Sequence, residues 1–95
     1  MSDGSPKQVE REVVISNVQG LHARPVMRFV DLASQYSSSI RIQKDKHDVD
    51  GKSPMEMMLL EATKGTVLRL VAQGDDAGDA IEALTALVDG KFGEE

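Results

Sequence analysis

Gly20-Leu21-His22-Ala23-Arg24-Pro25 sits where the chain changes period, and that change decides the fold. Before it, Val9, Arg11, Val13 and Ile15 alternate with Glu10, Glu12 and Val14, the two-residue period of a half-buried strand. Ser16 to Gly20 is turn chemistry. After it, Val26, Met27, Phe29, Val30, Leu32 and Ala33 fall on one face at i, i+3, i+4 and i+7, which predicts a helix over 23–35. Pro25 is tolerated only in the first turn, because it has no N–H and its ring clashes further in. The helix therefore starts at Ala23, and His22 takes the cap position.

Outward from this junction the periods continue to alternate. Residues 36–39, Tyr-Ser-Ser-Ser, end the helix, and Ile40 and Ile42 against Arg41 and Gln43 predict a second strand. Residues 44–48 read as a polar hairpin turn that includes an exposed His47, and Val49 marks a short third strand. Ser53, Pro54 and Glu56 form an S-x-x-E start with proline at the first helical position, which predicts a helix over 54–62. Met55, Met58 and Leu59 share one face of that helix, and Met57 and Leu60 share another. A helix so short and so apolar leaves one face uncovered, with Leu59 and Leu60 expected in the core. Residues 66–73 alternate as a fourth strand. Asp75 and Asp76 are placed to cap a third helix with an Ala77, Ala80, Ile81, Leu84, Leu87, Val88 stripe. Gly90 ends it, and Phe92 is placed to fold back on its end. The order βαββαβα, with one apolar face per element, predicts an α+β two-layer fold, a four-stranded antiparallel sheet with three helices on one face.

With 95 residues, the chain makes one domain with a single core, built from aliphatics because aromatics are only 3%. Residues 1–8 read as a disordered extension and 9–95 as the domain. The absence of cysteine excludes a disulfide frame and thiolate chemistry. The two histidines have no metal-ligand spacing, so no metal and no cofactor is expected. A net charge of −5 argues against nucleic-acid binding. No apolar run approaches the roughly 20 residues of a membrane span, and no secretory signal is recognisable at the N-terminus, so a cytoplasmic location is expected. Acidic residues crowd the C-terminal third, while Arg24 and Arg28 lie near His22, a polarity that would steer an acidic partner face toward the histidine.

The chemistry concentrates at the helix start. First-turn N–H groups lack carbonyl partners and carry the positive pole of the helix dipole, so an anion held on His22 meets donors already aimed at it. That pole favours the neutral imidazole, whose free nitrogen is a nucleophile. Arg24 adds a planar cation able to bind two phosphate oxygens. Histidine is a poor cap and first-turn arginine opposes the dipole, so neither residue is there for stability. Read together, they describe a phosphoryl acceptor.

Gly20-Leu21-His22-Ala23-Arg24-Pro25, together with the later Gly51-Lys52-Ser53 and Met55 and Met58, resembles the histidine-containing phosphocarrier (HPr) family of the bacterial phosphotransferase system. The resemblance runs from Val9 to the C-terminus and implies an open-faced β-sandwich. It implies that Nδ1 of His22 accepts a phosphoryl group from phosphorylated Enzyme I and passes it to an EIIA-type protein, with Arg24 stabilising the phosphate. Ala23, Met27, Arg28, Met55 and Met58 would form the partner-binding patch of a monomer, methionine suiting a surface that meets several partners. Ser53 matches the serine phosphorylated by HPr kinase/phosphorylase, although Pro54 stands where a bulky aliphatic usually follows. Asp31 and Ser34 replace lysines frequent in sugar-system members, and Met27 with the C-terminal Leu-Val-Asp-Gly-Lys-Phe-Gly-Glu-Glu resembles the nitrogen-related branch. Two other classes compete: a regulatory binding module on the same fold, disfavoured because His22 and Arg24 are both present, and a hydrolase, disfavoured because no orienting carboxylate can be named for His22.

Overall fold

The computed structural model describes residues 7–94. Among them the elements are β1 (Gln8–Val14), α1 (Ala23–Ala33), β2 (Ser39–Lys44), β3 (His47–Asp50), α2 (Pro54–Met58), β4 (Val67–Gln73) and α3 (Ala77–Asp89), then a short turn at Lys91–Gly93. The fold class and the order βαββαβα agree with the expectation. The strands lie in the order β1-β4-β2-β3, and every neighbouring pair is antiparallel. Alternation turns one sheet face inward: Val13 opposite Leu68, Ile40 opposite Ala72, and Ile42 between Leu70 and Val49, all buried. Phe29, Val30 and Ala33 of α1 and Ala77, Ile81, Leu84 and Val88 of α3 close the core over that face. The outer face is polar, with Arg69 of β4 paired to Glu10 at 2.8 Å and Arg41 of β2 to Asp48 at 2.9 Å.

Several boundaries move from their expected places. Gln8 already pairs with Gln73, and the Lys7 carbonyl accepts from Gly74 N–H at 2.8 Å, so the strand begins inside the stretch taken as an extension. Residues 1–6 of that stretch lie outside the described residues. The hairpin turn is only Asp45-Lys46, with Asp45 at φ 52°, and His47 is an exposed member of β3 opposite Lys44. α1 ends at Ala33. Its last turn tightens as Gln35 and Tyr36 N–H donate to Leu32 and Ala33, and Lys52 Nζ takes the Tyr36 carbonyl at 2.7 Å.

α2 is shorter than predicted, stopping at Met58. Its tail continues as three-residue turns to Glu61, which sits at φ 51°. The carbonyls beyond it are satisfied from outside the helix: Leu21 N–H donates to that of Ala62 at 2.8 Å, and Lys44 Nζ to that of Leu60 at 2.7 Å. The capping box is half made. Ser53 Oγ accepts from Glu56 N–H at 3.3 Å, but the Glu56 carboxylate accepts from Asp50 N–H at 3.0 Å instead of reaching back to Ser53. Asp76 stands at the N-cap of α3, yet its side chain makes no cap bond. It holds the α1–β2 connection instead, accepting from Ser37 N–H at 2.8 Å, Ser38 N–H at 2.9 Å and the Ser38 hydroxyl.

Candidate functional site

β1 delivers the chain into the loop of residues 15–22, which is seated on the α2–β4 connection. Ile15 exchanges backbone bonds with Thr66 and Gly65, and Leu21 N–H reaches Ala62. Gly20 lies at φ +69°, and a Cβ there would come within 2.5 Å of the Ala62 carbonyl oxygen, so glycine is required by both conformation and space. Asn17, fully buried, donates from Nδ2 to the Gly20 carbonyl at 2.7 Å and ties the loop across itself. α1 therefore starts from a fixed point, with Pro25 buried in its first turn.

His22 is the N-cap of α1, as the position of Pro25 implied. Its backbone is extended (φ −110°, ψ −169°), its carbonyl accepts from Val26 N–H at 3.0 Å, and its side chain makes no cap bond. The N–H groups of Ala23 and Arg24 have no partner among the described residues. The imidazole is 38% exposed and opens on a shallow cleft of about 500 Å³ lined by Val18, Gln19, Arg24, Arg28, Gly93 and Glu94. An accessible imidazole, an exposed guanidinium and two free amides thus share one end of one helix, which suits an anion carried on the ring.

Reading the sequence alone finds no carboxylate for His22, and here the structure corrects it. Glu94 lies against the ring, with His22 Nε2 3.3 Å from Oε1 and 3.2 Å from Oε2. Asn17 Nδ2 donates to the same Oε1 at 3.1 Å. Partial desolvation pushes the Glu94 carboxyl up, but hydrogen bonds from His22 and Asn17 and the charges of His22 and Arg24 outweigh it and hold the group below the usual range. Glu94 arrives by an unusual path. Lys91, Phe92 and Gly93 all have positive φ (59°, 56° and 77°), so this turn winds left-handed, and two of the three are not glycine. Phe92 is fully buried, and Arg28 Nη1 donates to its carbonyl at 3.0 Å. The fold-back of Phe92 was legible in its place after Gly90; the carboxylate it positions was not, because 72 residues separate it from the histidine.

The remaining predicted site residues divide. Met27, Met55 and Met58 are exposed, Met27 although its spacing put it on the apolar face of α1, and Met57 and Leu60 are buried. Leu59, taken with Leu60 as core, is instead 69% exposed, and it extends the apolar surface that Met55, at 79%, begins. Ala23 is exposed on α1. Arg28 is exposed but committed to the Phe92 carbonyl, so it braces the C-terminal turn as well as bordering the cleft. Ser53 is half-buried at the start of α2. No group of three metal-ligating side chains occurs among the described residues, and none of their helices is long and apolar enough to cross a membrane.

A family model described as "PTS HPr component phosphorylation site" matches residues 9–89. The phosphocarrier protein HPr of Neisseria meningitidis serogroup A is 43% identical over 86 residues, which cover 90% of this chain and 97% of that one. The phosphocarrier protein NPr of Shewanella violacea is 37% identical over 87 residues, covering 92% and 96%. Among solved structures, that of HPr-C-His from Thermoanaerobacter tengcongensis matches with a TM-score of 0.89 at 47% identity, covering 92% of this chain and 98% of that one.

Proposed function

The chain belongs to the HPr family of phosphocarriers of the phosphotransferase system, and from that premise we propose that His22 is its phosphoryl acceptor, charged at Nδ1 by phosphorylated Enzyme I and discharged to an EIIA-type protein. The observation that carries this reading is the state of His22 as a cap that does not cap: an accessible ring at a helix start whose Ala23 and Arg24 amides are free. With Nε2 engaged by Glu94, Nδ1 is the nitrogen left to meet phosphorus. The free amides and the positive helix pole favour a dianion there, the pole contributing about 0.3–1 kcal/mol. Arg24 neutralises charge on the equatorial oxygens as the group moves. Holding the phosphate too tightly would defeat a carrier, and an exposed, open cleft limits that hold.

The surface beside the ring suits docking. Met27, Met55 and Met58, now with Leu59, are all exposed and with Ala23 and Arg28 would give an adaptable apolar patch on which Enzyme I and the EIIA-type protein alternate. Regulation through Ser53 follows the same geometry. A phosphate on its hydroxyl would stand at the start of α2, tolerated by the helix, and would bring two negative charges next to Met55. A cytoplasmic site of action fits this reaction chain.

Incubation with phosphoenolpyruvate and Enzyme I tests the reading. The expected product carries one acid-labile phosphate on His22, and His22→Ala takes none. Label retained by His22→Ala would overturn the assignment.

A further inference from the structure

We propose that Glu94, held in place by Asn17, is a positioning residue for phosphoryl transfer: it fixes a proton on Nε2 of His22 and faces the positive charge that the ring acquires when Nδ1 takes the phosphoryl group. This rests on the phosphocarrier reading above. Three separate features hold the carboxylate on the ring. Asn17 Nδ2 binds Oε1 at 3.1 Å while tied to the Gly20 carbonyl at 2.7 Å, so the same buried amide sets both the loop that carries His22 and the group that meets it. Phe92, two residues earlier, is fully buried, and its carbonyl is clamped by Arg28 at 3.0 Å. Between them the backbone passes through Lys91 and Phe92 at φ 59° and 56°, a region that L side chains occupy only when their surroundings compel it. Strain of this kind, ending on a carboxylate 19% exposed against an imidazole, marks an arm built to a position and not a stray end.

The chemistry explains what that position is for. Which imidazole nitrogen keeps its proton is set by the partner of the other. A carboxylate can only accept, so it selects the neutral ring with its proton on Nε2 and its lone pair on Nδ1. In transfer, the Nδ1 pair forms the new N–P bond, and the donor's bond to phosphorus breaks with its electrons remaining on the donor. No proton moves. The His22 ring keeps its Nε2 proton and, with both nitrogens substituted, becomes cationic at 3.2 Å from Glu94. Discharge to the next protein returns the pair to Nδ1 and the ring to neutrality. Glu94 therefore stabilises the charged carrier without entering the reaction, while Arg24 attends to the phosphate.

Glu94→Gln tests this, because it keeps size and hydrogen bonding but loses the charge and can also donate. The expected variant melts like the parent, accepts phosphoryl from Enzyme I about tenfold more slowly, and shifts the transfer equilibrium back toward Enzyme I by a similar factor. Long-range proton–nitrogen NMR of the labelled chain should show Nε2–H with bare Nδ1 in the parent and a larger Nδ1–H fraction in the variant. Glu94→Asp, with its charge kept, should recover part of the rate. Equal tautomer populations together with unchanged rate and equilibrium in Glu94→Gln would overturn the inference while leaving the carrier reading intact. Absence of label on His22 in the parent would overturn both.

Discussion

The Arg24 side chain makes no hydrogen bond among the described residues, and it is exposed near a carboxylate whose ionisation it favours. A cation so placed does little for the folded state, since surface substitutions usually stay within about 0.5 kcal/mol. Arg24→Ala should therefore lower the rate of phosphoryl acceptance about a hundredfold, the usual cost of one lost electrostatic contact to a transition state. Its melting temperature should move by no more than about 3 °C. Stopped transfer with a large drop in melting temperature would assign Arg24 to the scaffold instead. At this scale legibility followed distance along the chain. His22 and Arg24 stand two residues apart with Pro25 fixing their helix, so their chemistry reads from six letters. Asn17 looked like one more turn residue, and nothing local announces that its amide reaches Glu94. The pairing depends on a left-handed turn whose formation needs Phe92 buried, and burial is a property of the finished core.

Among the elements, the junction of α1 and β2 is held by a residue from another part of the chain. The Ser38 hydroxyl and the Ser37 and Ser38 amides converge on Asp76, and these bonds, the Ser38 hydroxyl foremost, lower its carboxyl from the usual 3.8 to about 2. A carboxyl lowered on folding stabilises fully above its unfolded value and loses that contribution as pH falls through its folded value. The difference in urea midpoint between the parent and Asp76→Asn should thus be constant above about pH 4 and shrink as pH falls toward 2. A difference independent of pH would show that the charge is not what matters. The sequence places an aspartate at that spot as a helix cap, and the identity and location were right while the use was not. The carboxylate had better donors across the fold than within its own helix. α2 is local and legible at its start, Ser53-Pro54, while the chain after its end is tied down from a distance, by Leu21 N–H on the Ala62 carbonyl. Helix starts were readable because their signals are adjacent residues; α1 and α2 stop earlier than their apolar spacing implied.

For the molecule as a whole, the fold class followed from the order of periods, but the strand order did not, because alternation says which side faces inward and not which neighbour lies beside it. Phe92 closes this assembly at its far end, fully buried although it sits beyond the last helix. Phe92→Ala should destabilise the protein by about 3–5 kcal/mol, measured by urea unfolding, a large part of the 5–15 kcal/mol typical of a domain. Assayed under conditions where it remains folded, the same variant should also transfer phosphoryl groups more slowly, because Glu94 loses its anchor; a normal rate would separate the core from the site. The sheet order has its own result. β1 and β2 do not pair with each other, for β4 lies between them and supplies the pairing edge of both. During translation, then, the opening strand emerges from the ribosome with no partner and must wait, on the order of seconds, until residues 67–73 follow it. β1, and the edge of β2 away from β3, spend that interval unpaired, and the charges of Glu10, Arg11 and Glu12 discourage the first strand from pairing with a neighbour.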